Sequence, residues 1–141
     1  MIAKNGFTLL EILVVLSILS VLILLSTPFN ANMLEAKREN EFFKLLKSDM
    51  LYAQSLASAT DSDVLVSMSF DAENNRYSII RDRTVQKRSF PDDWILDQDY
   101  IFYFNQKGTV LNPYTLNLKT SNARYQIVFP FGKGRGYIEE K

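Results

Sequence analysis

The sequence predicts an α+β fold in which one long N-terminal helix, apolar and then amphipathic, packs against a C-terminal antiparallel β-sheet. Three observations carry that expectation. An apolar run fills Ile12 to Leu25, apolar residues then recur at steps of three or four from Phe42 to Ala57, and short alternating runs separated by turn residues follow Val64. The chain has 141 residues, enough for one core, and its 16 Lys+Arg balance 16 Asp+Glu. That balance opposes a generally basic nucleic-acid binder and leaves only local patches for such a role. A hydrophobic share of 47% beside 23% charged residues opposes disorder. With no Cys and no His, disulfides, thiolate nucleophiles, Cys/His zinc sites and His-dependent triads are excluded. Neither catalytic residues nor a cofactor is expected.

The first element is a membrane segment. From Phe7 to Phe29 the only ionisable side chain is Glu11, and the stretch approaches the ~20 residues needed to cross a bilayer. Ser17 and Ser20 can bond back to the preceding turn, so they do not oppose insertion. Lys4 is the only basic residue before the segment, which by positive-inside bias places the N-terminus in the cytoplasm and the head outside. The run ends Leu25-Ser26-Thr27-Pro28-Phe29 without a small-residue cleavage pattern, so removal there is not expected.

Glu11 is the anomaly in this segment. An unpaired carboxylate costs about 2.5 kcal/mol or more at the centre of a membrane helix and less near an interface, so it calls for a cation. Cleavage after Gly6 would create one, the α-amine of Phe7, about 6 Å along the helix axis. Pairing within one helix is awkward, whereas Glu11 of one copy can reach the Phe7 amine of another copy shifted along a bundle. The buried charge then sets register in a filament. The other reading is a carboxylate snorkelling to the headgroups of an ordinary anchor.

Gly6-Phe7-Thr8-Leu9-Leu10-Glu11, followed by the apolar run, strongly resembles the class III signal of the type IV prepilin and pseudopilin family. A prepilin peptidase cuts and N-methylates such signals. The resemblance implies that Gly6 is the last leader residue, Phe7 the methylated first residue of the mature chain, and Glu11 the assembly glutamate. Pro28 falls where many pilins carry a helix-kinking proline. The implied partners are other major and minor pseudopilins in a filament, the prepilin peptidase, the assembly platform and its ATPase, and membrane lipid.

Beyond Pro28 the charges Glu35, Lys37, Arg38, Glu39, Glu41, Lys44, Lys47 and Asp49 alternate in sign, while Phe42, Leu46, Met50, Ala53 and Ala57 form an apolar stripe. A helix from Phe7 to about Ala59, kinked at Pro28, would be on the order of 80 Å long. Thr60-Asp61-Ser62-Asp63 ends it. Val64, Val66, Met68 and Phe70 then share one strand face, which would cover the helix. Further strands are expected at Arg76 to Arg81, Arg83 to Phe90, Tyr100 to Phe104, Leu116 to Lys119, Arg124 to Phe131 and Arg135 to Glu139. Turns are expected at Asp71 to Asn75, Asn105 to Gly108 and Gly132 to Gly134. Pro130 suggests an edge or a bulge. The expected organisation is a leader, 1–6, a transmembrane and assembly helix, 7–29, and an extracytoplasmic head, 30–141, with its helix over 30–60 and its sheet over 64–140.

Within the family, the Phe104-Asn105 strand end before Gly108 and the closing hairpin around Gly132 to Arg135 look like minor pseudopilins of the FimT/GspH type. They also look like the ComGD-like component of competence pili in Gram-positive bacteria. That resemblance implies a minor pseudopilin of a DNA-uptake filament, exposed at the cell surface after assembly. Secretion or adhesion filaments, and a DNA-receptor head at the pilus tip, are the alternatives.

Three surfaces of the head could carry binding chemistry. Gly132-Lys133-Gly134-Arg135-Gly136 places two cations beside Phe131 and Tyr137, a combination suited to phosphates and an unpaired base. Some FimT-like relatives bind DNA through a basic C-terminal Gly-Arg motif, and Arg135 with Lys133 and Arg124 resembles that region. The competing explanation is a glycine hairpin whose charges keep a sheet edge soluble. Arg81, Arg83, Lys87 and Arg88 form a second basic run, which strand alternation would split between two faces. Asp92, Asp93, Asp97 and Asp99 around Trp94 could offer oxygen ligands to Ca²⁺, but their spacing does not match Asp-x-Asp-x-Asp-Gly, and a soluble acidic loop explains them.

Overall fold

The computed structural model describes residues 8–26, 31–59, 65–132 and 135–141. It contains two compact units, Met1–Leu34 and Glu35–Lys141. In the first, helix α1 (Leu9–Ser26) is apolar on every side, and its side chains from Leu9 to Leu24 are all exposed. Its 18 residues rise about 27 Å, short of the roughly 30 Å of a bilayer core. Among the described residues no helix is long and apolar enough to cross a membrane. Pro28 and the kink expected there lie outside the described residues.

The head is built on helix α2 (Ala31–Ser58). Its buried stripe runs Phe43, Leu46, Met50, Ala53 and Ala57, the three-and-four spacing that keeps one helix face inward. Phe42, expected in that stripe, is half-buried beside it and meets Tyr77, Phe90 and Trp94 with its ring. Among the described residues eight strands follow: β1 (Val66–Asp71), β2 (Arg76–Arg81), β3 (Thr84–Ser89), β4 (Ile95–Leu96), β5 (Tyr100–Phe104), β6 (Tyr114–Lys119), β7 (Arg124–Phe129) and β8 (Tyr137–Glu140).

They form two antiparallel sheets rather than the single sheet expected, in the orders β3-β2-β1-β5 and β4-β6-β7-β8. The first closes when β5 returns to pair with β1, Val66 facing Phe104 and Phe70 facing Tyr100. The second is a meander around β6, β7 and β8, with β4 added at its edge. Alternation locates strands but not the long-range partner of β5, so the split into two sheets was hidden in the sequence.

Both sheets turn alternate side chains onto α2. Phe42 meets Tyr77 of the first sheet edge-on at 6.4 Å, while Phe43 meets Tyr125 of the second at 4.5 Å. The inner faces also touch directly, with Phe102 and Phe129 ring centroids 3.8 Å apart. Val66, Met68 and Phe70 face inward as expected, and Trp94, expected in a soluble acidic loop, is wholly buried between Phe42 and Phe43. Strand β7 ends at Phe129, just before Pro130, which cannot donate to the ladder.

Candidate functional site

The start of α1 is a reciprocal cap. Thr8 precedes the first helical residue, and its Oγ1 accepts a bond from the Glu11 backbone N–H at 3.3 Å. The Glu11 Oε2 in return accepts from the Thr8 N–H at 3.3 Å and from the Thr8 hydroxyl at 3.4 Å. This is the Thr-x-x-Glu capping box, which satisfies donors that a helix start otherwise leaves open. The Thr8 role was missed in the sequence, although its signal, a threonine three residues before a glutamate ahead of an apolar run, is plainly present. Ser17 and Ser20 donate to the Leu13 and Leu16 carbonyls, each at 2.8 Å, as anticipated. Gly6 and Phe7 lie outside the described residues.

In the head, Arg88 of the second basic run and three aspartates of the acidic loop form structural bonds. Arg88 reaches the buried Asp49 of α2 through Nε at 2.5 Å and Nη2 at 3.4 Å, and the Tyr77 hydroxyl donates to the same carboxylate at 2.7 Å. The bond to Asp49 raises the Arg88 pKa, and burial, reinforced by Asp49, pushes the Tyr77 phenol up. Arg83 and Lys87 stay exposed. In the acidic loop, Asp93 accepts from Ser121 and from Arg38, the latter at 3.3 Å, and the Ser121 bond chiefly holds its carboxyl below the ordinary value. Asp97 accepts from the Asn117 backbone and side chain, and Asp99 from the Ala72 N–H at 2.6 Å. These aspartates tie loops to α2 and to both sheets, and among the described residues no group of three metal-ligating side chains is assembled.

The three cations grouped from the sequence as DNA contacts do not gather. Arg124 opens β7 and Phe129 closes it, so Arg135, which follows the next turn, lies at the opposite end of the strand, roughly 17 Å away at 3.4 Å per residue. Lys133 lies outside the described residues. Arg124 instead faces Lys119 across the β6–β7 ladder, and its carbonyl accepts the Lys141 N–H at 2.9 Å. The two described glycines of the hairpin differ in purpose. Gly132 has φ +72° with open space around it, the conformation a turn requires, whereas a Cβ on Gly136 would lie 2.1 Å from the Met50 Cε and 3.0 Å from the Phe129 ring.

Residues 1–27 match the family model described as the prokaryotic N-terminal methylation motif. No curated protein and no solved structure matches the chain. The matched segment contains Gly6, Phe7, the Thr8–Glu11 cap and α1, and it ends before α2 begins at Ala31. The motif is the type IV prepilin-like signal and supports a structural filament protein of the prepilin or pseudopilin kind.

Proposed function

We propose that this chain is a minor pseudopilin, cut between Gly6 and Phe7, whose apolar N-terminal segment first lies in the cell membrane and then packs into a type IV filament serving DNA uptake in competence. The observation that carries the reading is the methylation motif over residues 1–27 joined to a helix with apolar side chains on every face, so that burial in lipid or among copies of itself is its favourable outcome. In this reading the head emerges outside the cytoplasm, and the peptidase, platform and ATPase act on it as separate chains. A type II secretion or adhesive pilus would use the same N-terminal chemistry, and the competence assignment rests on the resemblance of the head alone.

Glu11 serves both as cap and as charge, and substitution separates the two. Glu11→Gln keeps the capping geometry but removes the charge, while Thr8→Ala removes the cap and keeps the charge. If charge sets register in the filament, Glu11→Gln is exported to the membrane yet absent from sheared surface fibres, and Thr8→Ala is incorporated. Normal incorporation of Glu11→Gln would overturn the register mechanism. Mass spectrometry of the membrane-extracted protein should find Phe7 as a methylated N-terminus, and retention of Met1 to Gly6 would overturn the pseudopilin reading.

A further inference from the structure

Two sheet edges of the head have no partner, and they carry opposite charge. Among the described residues β3, β5, β4 and β8 end the two sheets, and β4 is only two residues long. The outer edge of β5 is already covered. There the Leu111 N–H donates to the Tyr103 carbonyl at 2.8 Å, while the Asn112 side chain accepts from the Tyr103 N–H at 2.9 Å and donates to the Ile101 carbonyl at 2.6 Å. An amide side chain thus stands in for a neighbouring strand. No such cover protects β3 or β8, which pair only with β2 and β7, and among the described residues no further backbone bond reaches either edge. A row of free N–H and C=O groups is a template for another strand.

The β3 edge is basic. Tyr77 and Ile79 of β2 point into the core, so their partners Arg88 and Gln86 lie on the core side and Lys87 lies on the outer side. Arg88 is held by Asp49, whereas Arg81, Arg83 and Lys87 form no ion pair among the described residues. The β8 edge is acidic. Ile138, opposite the buried Ile127, packs toward the core, Glu139 faces out, and neither Glu139 nor Glu140 forms an ion pair among the described residues. Charged edges ordinarily oppose edge-to-edge association. Here the signs do so selectively, since two β3 edges repel, two β8 edges repel, and β3 attracts β8. An antiparallel register with Lys87 opposite Glu139 sets Gln86 opposite Glu140 on the core side. At that side β3 borders a groove of about 110 Å³ against α2, lined by Tyr52, Leu56, Ile79, Arg81, Thr84 and Gln86, where Arg81 supplies a second cation.

We propose that β3 of one copy pairs antiparallel with β8 of a second copy, Lys87 opposite Glu139, joining the first sheet of one head to the second sheet of the next. The contact uses two different surfaces, so each joined head still offers a free edge and the pairing propagates head to tail. The four residues of β8 span roughly 14 Å, too little to hold two free heads together. The contact therefore acts between copies gathered by their apolar N-terminal helices, where the effective concentration is high. It goes beyond the filament reading by naming a strand-to-strand contact in the head, and it requires neither cleavage at Gly6 nor the assembly machinery.

The chain has no cysteine, so single-cysteine variants report the contact. Full-length Lys87→Cys and Glu139→Cys chains, mixed in nonionic detergent with several copies per micelle and oxidised, should give the mixed disulfide about tenfold over either homodimer, because cysteines with Cα atoms more than about 7 Å apart are not bridged. A chain carrying both substitutions should give a ladder of multimers. The next outward pair in this register is Ser89 with Tyr137, and Ser89→Cys with Tyr137→Cys should cross-link as well. Adding Lys87→Glu to the Ser89→Cys chain should lower that yield about fivefold, and adding Glu139→Lys to its partner should restore it. Circular dichroism checks that the variants remain folded. The proposal is overturned if homodimers form as fast as the mixed dimer, if no disulfide forms, or if the charge swap fails to restore the yield. Fibre incorporation of Glu11→Gln is scored separately on processed chains, so failure of either reading leaves the other standing.

Discussion

At the scale of single residues, Asp49 and Glu39 show how α2 admits charge to a core. Asp49 is 6% exposed and tolerates burial because Arg88 and Tyr77 both bond to it, with Arg88 keeping part of its guanidinium in water. Removing the cation leaves a buried carboxylate with a single hydroxyl. Arg88→Ala should therefore destabilise the head by about 3 kcal/mol, read as a lower urea midpoint, and Arg88→Lys should recover only part of it because the forked contact is lost. Glu39 is 5% exposed and accepts from the Tyr125 hydroxyl at 3.2 Å. Burial, with the Glu39 charge second, pushes the Tyr125 phenol up to about 12 from an ordinary 10.0. Sequence spacing grouped Asp49 and Glu39 with the sign-alternating charges beside the apolar stripe rather than with the core. Nothing local announces that Tyr77, 28 residues away, or Tyr125, 86 residues away, will meet them.

At the scale of elements, two turn glycines take a left-handed backbone, and one of them also lies against α2. Gly108 has φ +69°, and a Cβ there would sit 2.8 Å from the Ser58 Oγ and 3.0 Å from the Gln54 carbonyl at the end of the helix. Asn105 completes this turn, its side chain accepting from the Lys107 and Thr109 N–H groups at 2.9 Å each. Gly108→Ala should cost about 2–3 kcal/mol and Gly132→Ala about 1 kcal/mol, because both pay the left-handed backbone penalty but only the first meets a neighbour. Equal urea midpoints for the two variants would contradict that ranking. The helices, the turns at 71–75 and 105–108 and most strands were legible from period and turn chemistry. The two-residue β4 and the opening of β6 at Tyr114 were not, since strands gain their definition there from pairing rather than from alternation. Of the candidate site, the N-terminal motif was legible but the capping role of Thr8 within it was not, while the basic residues were grouped by nearness in sequence and the ladder regrouped them by register.

For the molecule as a whole, the titrating groups fix the limits of head stability. Asp71 and Asp93 sit below the ordinary 3.8, Asp71 mainly through the Asn74 backbone bond and Asp93 mainly through Ser121. Depressed carboxyls contribute stability above pH 3.8 that is lost as pH falls through their folded values, so the acid limb begins below about pH 4. Asp93→Asn should flatten that limb. Tyr125 titrates with the opposite sign: its contribution is complete below pH 10 and disappears as pH rises to about 12. Tyr125→Phe should make thermal midpoints less sensitive to pH across that interval, and an unchanged profile would show that the phenol is not held by Glu39 in solution.

The chain holds one tryptophan, and Trp94 is enclosed by Phe42 and Phe43, while α1 contains no aromatic residue at all. Its intrinsic emission therefore belongs to the head alone. The N-terminal helix is optically dark, so detergent extraction, vesicle insertion or polymerisation can be monitored against a fluorophore that answers only to whether the aromatic core around it is intact.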